Sequence, residues 1–183
     1  MDKRALRRAC FARIRALSES EKDSASESIC NTLESIAGWK AVETVFSFLP
    51  LPSEPNLTPL FHKFPEKHWG FSRVSSDGER LIFHHVRSEE ELREGDYGFL
   101  EPDPSQCPVL DNPDWILIPG VGFSRENLAR LGRGKGHYDR YLSSLETAGR
   151  MPKKLGICFS TQFCAITPEA HDVPMDRIVS ESG

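Results

Sequence analysis

Residues 115–145 read WILIPGVGFSRENLARLGRGKGHYDRYLSSL, and this stretch decides the fold class. It begins with a short apolar strand, residues 115–118, which Pro119 and Gly120 bring to an end. A glycine-rich loop follows, and residues 138–145 are predicted to form a helix. The order of strand, loop and helix is typical of an α/β unit, in which ligands bind beyond the carboxyl ends of the strands. The glycine-rich loop is therefore predicted to lie where a ligand binds.

The rest of the chain alternates in the same way. Helices are predicted over residues 3–17, from the capping box of Ser18 and Glu21 to Gly38, and over 57–64. The predicted strands are residues 42–49, 69–74, 81–86, 155–159 and 178–180, whereas 89–93 is predicted as a helical turn and 101–113 as a loop. No internal repeat or linker divides the chain. We therefore expect one α/β domain over residues 1–183, three-layered, with a largely parallel central sheet flanked by helices.

The glycine-rich loop has the composition of an anion site. Gly132, Gly134 and Gly136 alternate with Arg133 and Lys135. Glycine allows backbone angles that other residues avoid, and freed N–H groups can form an anion-binding nest beside the two cations. The spacing fits neither a P-loop nor a dinucleotide fingerprint. A flexible, solvated glycine turn is the simple alternative.

The charge distribution favours the anion site over that alternative. The chain has a net charge of −4, yet residues 125–140 hold five Lys or Arg against two acidic residues. A local excess of cations around flexible backbone in an acidic protein indicates an anionic ligand, and a polyphosphate is expected. Asp139 is placed to bring a hard cation to it.

The composition excludes several other classes of protein. A hydrophobic content of 38% and a charged content of 27% fit a globular protein, and no apolar run approaches the roughly 20 residues of a membrane helix. The five cysteines include no Cys-x-x-Cys pair, which fits a reducing cytosol rather than a disulfide framework or a zinc site. We expect a cytoplasmic protein, monomeric, that binds neither nucleic acid nor membrane.

The N-terminus allows two interpretations. Residues 2–15 carry six Lys or Arg against one acidic residue, as in an organellar transit peptide. However, Leu6, Cys10, Ile14 and Leu17 recur at helical spacing, which favours a helix docked on the core.

Several motifs together resemble one enzyme family. Residues 114–123 and 130–140 are similar to the signature of 5-formyltetrahydrofolate cyclo-ligases. Weaker similarities occur in the family's order at residues 3–7, 53–56, 97–102 and 171–172. The resemblance implies a Rossmann-like fold shared with sugar-isomerase and CoA-transferase-like proteins.

The resemblance also implies a reaction. Family members convert 5-formyltetrahydrofolate to 5,10-methenyltetrahydrofolate with ATP and Mg²⁺, and release ADP and phosphate. Phosphoryl transfer to the formyl oxygen gives an N5-iminium phosphate, which N10 of the folate attacks as phosphate leaves. Such a reaction needs positioning and charge stabilisation rather than a protein nucleophile.

The resemblance assigns roles residue by residue. The implied catalytic residues are Arg130, Arg133, Lys135 and Tyr138. The implied ATP-binding residues are Lys3, Arg4, Arg7, Arg130, Leu131, Gly132, Arg133, Gly134, Lys135, Gly136, His137 and Tyr138. The implied folate-binding residues are Leu51, Glu54, Asn56, Tyr97, Arg133, Gly134, Lys135, Gly136 and His137. Asp139 and Asp172 are implied to hold Mg²⁺.

The chain departs from the family pattern at two of these positions. His137 stands where the family commonly has an aromatic residue, and Asn56 where an acidic residue is common. Two alternatives remain open: a non-catalytic homologue that binds nucleotide or folate, and an RNA-interaction module that uses the basic loop and N-terminal helix. The net charge of −4 and the absence of a second basic-aromatic platform weigh against the RNA-interaction module.

Overall fold

The computed structural model describes residues 2–95 and 98–183. Its elements are, in chain order, α1 (Lys3–Arg15), α2 (Glu19–Ser35), β1 (Thr44–Ser47), α3 (Thr58–Lys63), β2 (His68–Val74), β3 (Leu81–Val86), β4 (Leu92–Glu94), β5 (Leu100–Pro102), β6 (Trp115–Pro119), β7 (Gly122–Phe123), β8 (Arg130–Leu131), α4 (His137–Thr147), β9 (Lys153–Ile157) and β10 (Arg177–Val179). Short 3₁₀ turns occur at Trp39–Ala41, Glu89–Glu91 and Ser160–Gln162.

The main sheet is largely parallel. Its strand order over the described residues is β10-β9-β6-β1-β2-β3. Every neighbouring pair is parallel except β2 and β3, which form an antiparallel pair at one edge. The predicted α/β class with a largely parallel sheet is confirmed.

Strand β6 lies inside the sheet, and its alternating side chains serve two different cores. Trp115 and Leu117 pack in the core that includes helices α2 and α3, whereas Ile116 and Ile118 pack in the core that includes α4. Because successive side chains of a strand point to opposite faces, helices cover the sheet on both sides. The three predicted layers are therefore present.

The basic N-terminal segment forms a docked helix, as its apolar spacing predicts. Leu6, Cys10 and Ile14 are the buried residues of α1. Leu6 packs with Leu131 of β8, so the helix is anchored next to the glycine-rich loop. Its N-cap is Asp2, whose side chain accepts a hydrogen bond from the Ala5 N–H at 2.7 Å.

Several boundaries differ from the sequence prediction. The capping box at Ser18 and Glu21 is confirmed, but α2 ends at Ser35 rather than at Gly38. Strand β1 is four residues long rather than eight, because only residues 44–47 of the predicted strand 42–49 pair with neighbouring strands. Residues 100–102, predicted in part as loop, form β5 and pair with β4.

The carboxyl ends of the two central strands face the same edge of the sheet. Strand β1 leads into residues 48–56, and β6 leads into the β7–β8 hairpin and the glycine-rich loop. This edge is where ligands bind in open α/β sheets. None of the described helices has the length and apolar character needed to cross a membrane.

Candidate active site

The glycine-rich loop joins the β7–β8 hairpin to helix α4. The hairpin is closed by the Val121 N–H, which donates to the Leu131 carbonyl at 2.7 Å. Gly134 and Gly136 have φ values of 103° and 68°, a region that favours glycine. A Cβ at Gly136 would also lie 2.8 Å from Nη1 of Arg140. Both glycines are therefore required for the path of the loop.

Helix α1 contributes cations to this loop. The Nε of Arg7 donates to the Gly132 carbonyl at 2.8 Å. Lys3 is the first residue of the helix, one turn before Arg7. Its Nζ is 2.8 Å from Oδ2 of Asp172 and 3.3 Å from Oε1 of Glu169. Arg4 is exposed and forms no salt bridge with any described residue. The helix therefore brings Arg7 to the loop and ties Lys3 to the C-terminal segment.

Arg130 and Asp139 form an ion pair at the base of the loop. Nη2 of Arg130 lies 2.9 Å from Oδ2 of Asp139, with side chains 4% and 15% exposed. Nη1 of Arg130 reaches the Pro119 carbonyl at the end of β6, at 3.4 Å. Its Nε is buried and has no hydrogen-bond partner among the described residues. A buried cation is thus held beside the loop with its Nε donor unused.

Tyr138 lies under this cation. The Arg130 guanidinium is 5.3 Å from the centre of the Tyr138 ring, within the range of a cation–π contact. Burial raises the pKa of Tyr138 far above its ordinary value, and the nearby Ser72 counteracts only part of that effect. The hydroxyl oxygen is buried without a partner of hydrogen-bond geometry in the described part of the chain. Tyr138 is therefore a neutral donor throughout the physiological range.

Arg133 links the loop to the segment after β1. Its Nη2 donates to Oγ of Ser53 at 2.8 Å and to Oε1 of Glu54 at 3.1 Å. The Glu54 side chain is only 8% exposed, and its Oε2 accepts from the Leu51 N–H at 3.0 Å. The Arg133 guanidinium also lies 5.3 Å from the centre of the Phe11 ring. Arg133 therefore joins α1, the glycine-rich loop and the β1 segment.

The remaining implied site residues are placed differently. Oδ1 of Asn56 accepts a hydrogen bond at 3.0 Å from the N–H of Thr58, the first residue of α3. Nε2 of His137 is 2.9 Å from the Gly78 carbonyl in the β2–β3 turn. Lys135 is exposed and pairs with no carboxylate of the described residues. Tyr97 lies outside the described residues.

The whole chain matches one protein family. A sequence model described as the 5-formyltetrahydrofolate cyclo-ligase family matches residues 1–181. The chain belongs to this family. The resemblance seen in the signature motifs is thereby confirmed.

Individual members of the cyclo-ligase family are similar over long stretches. The 5-formyltetrahydrofolate cyclo-ligase of Mycoplasma pneumoniae is 31% identical over 182 residues, which cover 99% of both chains. The Saccharomyces cerevisiae cyclo-ligase is 33% identical over 129 residues, covering 67% of this chain and 60% of its own. These relatives bear enzyme names, so the expectation of a cyclo-ligase enzyme is confirmed.

Solved structures agree with this placement. The Aquifex aeolicus 5,10-methenyltetrahydrofolate synthetase superposes with a TM-score of 0.83 at 33% identity, covering 100% of this chain and 91% of that chain. The Mycoplasma pneumoniae synthetase superposes with a TM-score of 0.75 at 30% identity, covering 99% of both chains. The fold described above is therefore the cyclo-ligase fold.

The two carboxylates implied for Mg²⁺ fit a metal to different degrees. Asp139 binds Arg130 through Oδ2, and its Oδ1 has no partner among the described residues. Oδ2 of Asp172 accepts from both Lys3 and the Glu169 N–H. Burial is the largest single influence and opposes ionisation of Asp172, but the hydrogen bonds from Lys3 and the Glu169 N–H, together with nearby positive charge, outweigh it and lower the pKa of that carboxyl. Since Mg²⁺ often binds one or two carboxylates plus phosphate oxygens, Asp139 fits as a ligand, whereas Asp172 is occupied by Lys3.

Three residues to which the sequence analysis assigned no role contact the site. Ser53 and Phe11 hold Arg133, and Arg140 donates to the Lys135 carbonyl at 2.8 Å. Ser53 and Arg140 lie within the recognised stretches 53–56 and 130–140, which is the signal that could have assigned them a role. Phe11 has no such signal, because its contact joins residues more than one hundred positions apart.

Proposed function

We propose that the chain, acting as one domain over residues 1–183, catalyses the ATP- and Mg²⁺-dependent cyclisation of 5-formyltetrahydrofolate. The products are 5,10-methenyltetrahydrofolate, ADP and phosphate. The formyl oxygen takes the γ-phosphoryl group as the bond to ADP breaks. N10 then attacks the formyl carbon, phosphate leaves with the electron pair of the C–O bond, and N10 loses its proton.

The observation that carries the proposal is the buried Arg130 beside the glycine-rich loop. Its Nε and the Tyr138 hydroxyl are both buried donors without partners among the described residues. Leaving such a group unpaired costs about 1–3 kcal/mol, so an acceptor at this position is favoured. A phosphate oxygen can accept from such a donor, and it brings negative charge to the guanidinium.

The nucleotide is proposed to lie along α1 and the loop. Arg7 already contacts the loop backbone at Gly132, and Lys135 projects its ammonium group from the exposed part of the loop. Lys3 and Arg4 extend the same cationic helix toward its N-terminus. These groups neutralise polyphosphate charge, which is the main requirement of phosphoryl transfer.

The folate is proposed to bind at the Leu51–Asn56 segment. Glu54 is a nearly buried carboxylate that accepts from Arg133 and from the Leu51 N–H, and its oxygens retain lone pairs for a further donor. The pterin edge of a folate carries such N–H donors. Arg133 of the glycine-rich loop reaches Glu54 of this segment. Its guanidinium is therefore placed to contact the phosphoryl group as it is transferred to the bound folate.

A divalent cation is proposed to bind through Oδ1 of Asp139. Mg²⁺ supplies charge neutralisation on the phosphate oxygens during transfer. Asp139 also fixes Arg130 through its other oxygen, so one carboxylate orients both positive groups. Asp172 is proposed to contribute indirectly, because its ion pair with Lys3 fixes that cation near the nucleotide.

The proposal is tested by adding ATP, Mg²⁺ and 5-formyltetrahydrofolate to the purified protein and following methenyltetrahydrofolate absorbance. We expect turnover that requires both ATP and the metal and that releases one ADP for each product. If calorimetric titration detected binding of nucleotide or folate but no turnover occurred, the result would instead support a non-catalytic homologue. If the protein showed no turnover and bound neither ligand, the proposal would be overturned.

A further inference from the structure

The N-terminal end of α4 is tied to the β2–β3 turn. Nη2 of Arg140 donates to the Glu79 carbonyl at 2.7 Å, and Nε2 of His137 lies 2.9 Å from the Gly78 carbonyl. The second guanidinium nitrogen, Nη1 of Arg140, donates to the Lys135 carbonyl at 2.8 Å. We call these three contacts the loop brace. Arg140 is its centre, because one planar group bridges the glycine-rich loop and the turn.

The turn that receives the brace is itself well ordered by hydrogen bonds. The Ser75 N–H donates to the Arg80 carbonyl at 2.8 Å, and the Gly78 N–H donates to the Ser75 carbonyl at 2.8 Å. Oδ1 of Asp77 accepts from the Glu79 N–H at 3.0 Å. The turn also continues directly into the paired strands β2 and β3. It therefore provides a fixed point from which the loop can be held.

The loop needs such a fixed point. Gly134 and Gly136 flank Lys135, and glycines have more backbone freedom than any other residue. The Lys135 side chain is exposed, so no packing determines where its ammonium group lies. Holding the Lys135 carbonyl from the Arg140 side chain removes much of this freedom at the residue itself.

We propose that Arg140 is a positioning residue of the cyclo-ligase reaction, which places Lys135 for its role on the ATP phosphates by bracing the loop against the β2–β3 turn. This inference rests on the proposed function. His137 is part of the same brace, through its contact with the Gly78 carbonyl. This contact gives a physical reason for a histidine where the family commonly has an aromatic residue. The imidazole supplies a donor to Gly78 that a phenyl ring lacks.

Arg140 could in principle act instead as one more cation near the phosphates, and the two roles respond differently to substitution. A direct charge effect is retained by Arg140→Lys. The brace is lost in that variant, because an ammonium group is a point donor and does not reproduce the planar fork that spans two carbonyls. Arg80→Ala is the matched control, since Arg80 is an exposed arginine of the same turn. Its Nη2 lies 3.8 Å from Oδ2 of Asp77, too far for a strong contact.

The experiment measures kcat and KM for ATP and for the folate, with the thermal midpoint of each variant. Two hydrogen bonds of ordinary net strength correspond to a loss of about 30-fold in kcat/KM for ATP in both Arg140→Ala and Arg140→Lys. Arg80→Ala is expected to match the wild type, and all midpoints are expected to stay close together. In a Lys135→Ala background the effect of Arg140→Ala should shrink to less than about threefold, because the group being positioned is absent.

Three results would overturn the inference: wild-type kinetics in Arg140→Ala, full activity in Arg140→Lys, or an undiminished effect of Arg140→Ala in the Lys135→Ala background. Each of these presupposes an active wild-type protein. A wild type that shows no ATP-dependent turnover would count against the proposed function itself, so the two failures are distinguishable.

Discussion

Arg130 and Asp139 form a nearly buried ion pair, with 2.9 Å between Nη2 and Oδ2, at the junction of β8 and α4. They are nine positions apart in the chain, and the whole glycine-rich loop lies in between. The pair therefore closes the loop at its base. Removing either partner leaves the other charge buried, which is costly for the protein.

Asp139→Asn is expected to lower kcat by about 100-fold or more, because the variant loses both a metal ligand and the anionic partner of Arg130. Asparagine still offers an oxygen to Arg130, so we expect the fold to persist with a loss of about 1–3 kcal/mol in unfolding free energy. Turnover assays and urea unfolding measure the two effects. Glu146→Gln, on the exposed side of the same helix, is the control and should keep wild-type turnover. Near-normal activity of Asp139→Asn would contradict the proposed role of Asp139 as a metal ligand and as the partner of Arg130.

Glu54→Gln is expected to raise KM for the folate by about 10- to 100-fold, the range of a lost charged hydrogen bond. Glutamine keeps the size of the side chain and can still accept from the Leu51 N–H. KM for ATP should change less, because Glu54 is proposed to contact the pterin. Steady-state kinetics with each substrate varied in turn provide the measurement, and the exposed Glu66→Gln is the control. An equal rise in both KM values would argue against a specific folate contact.

Much of the fold follows from local sequence patterns. The docked helix α1 was predictable because Leu6, Cys10 and Ile14 recur at helical spacing, and all three are buried. The position of the glycine-rich loop was predictable because the apolar strand before it ends at Pro119 and Gly120. The β7–β8 hairpin was not predicted, because its strands are two residues long and show no period.

The contacts within the site were less predictable, since they join distant parts of the chain. Arg7 and Gly132 are 125 residues apart, and Arg133 and Glu54 are 79 residues apart. Motif order could indicate that these residues serve one site, but not which atoms meet. His137 illustrates the limit: its place in the motif implies a ligand contact, whereas its ring nitrogen meets a turn carbonyl from another strand pair.

Arg7→Gln is expected to raise KM for ATP by about tenfold, because a charge-assisted hydrogen bond of about 1.5 kcal/mol to phosphate is lost. Arg8 is the neighbouring arginine, exposed on α1, and Arg8→Gln should leave KM unchanged. Both variants lower the charge of the helix equally, so a shared effect would indicate general electrostatic attraction instead. Repeating the assay at high salt separates the two, since screening weakens the general attraction more than a close contact.

Asp172→Asn is expected to destabilise the protein by about 1 kcal/mol at pH 7, the upper range for a partly exposed ion pair. Burial alone would raise the pKa of Asp172, but the hydrogen bonds from Lys3 and the Glu169 N–H, together with nearby positive charge, lower it below the unfolded value of 3.8. A depressed carboxyl pKa adds stability above the unfolded pKa, and that stability disappears as the pH falls through the folded value. Urea unfolding of both proteins from pH 7 down to pH 2 should therefore show two curves that converge in acid. A difference that stayed constant over this range would show that Asp172 stabilises the chain through packing rather than through its charge.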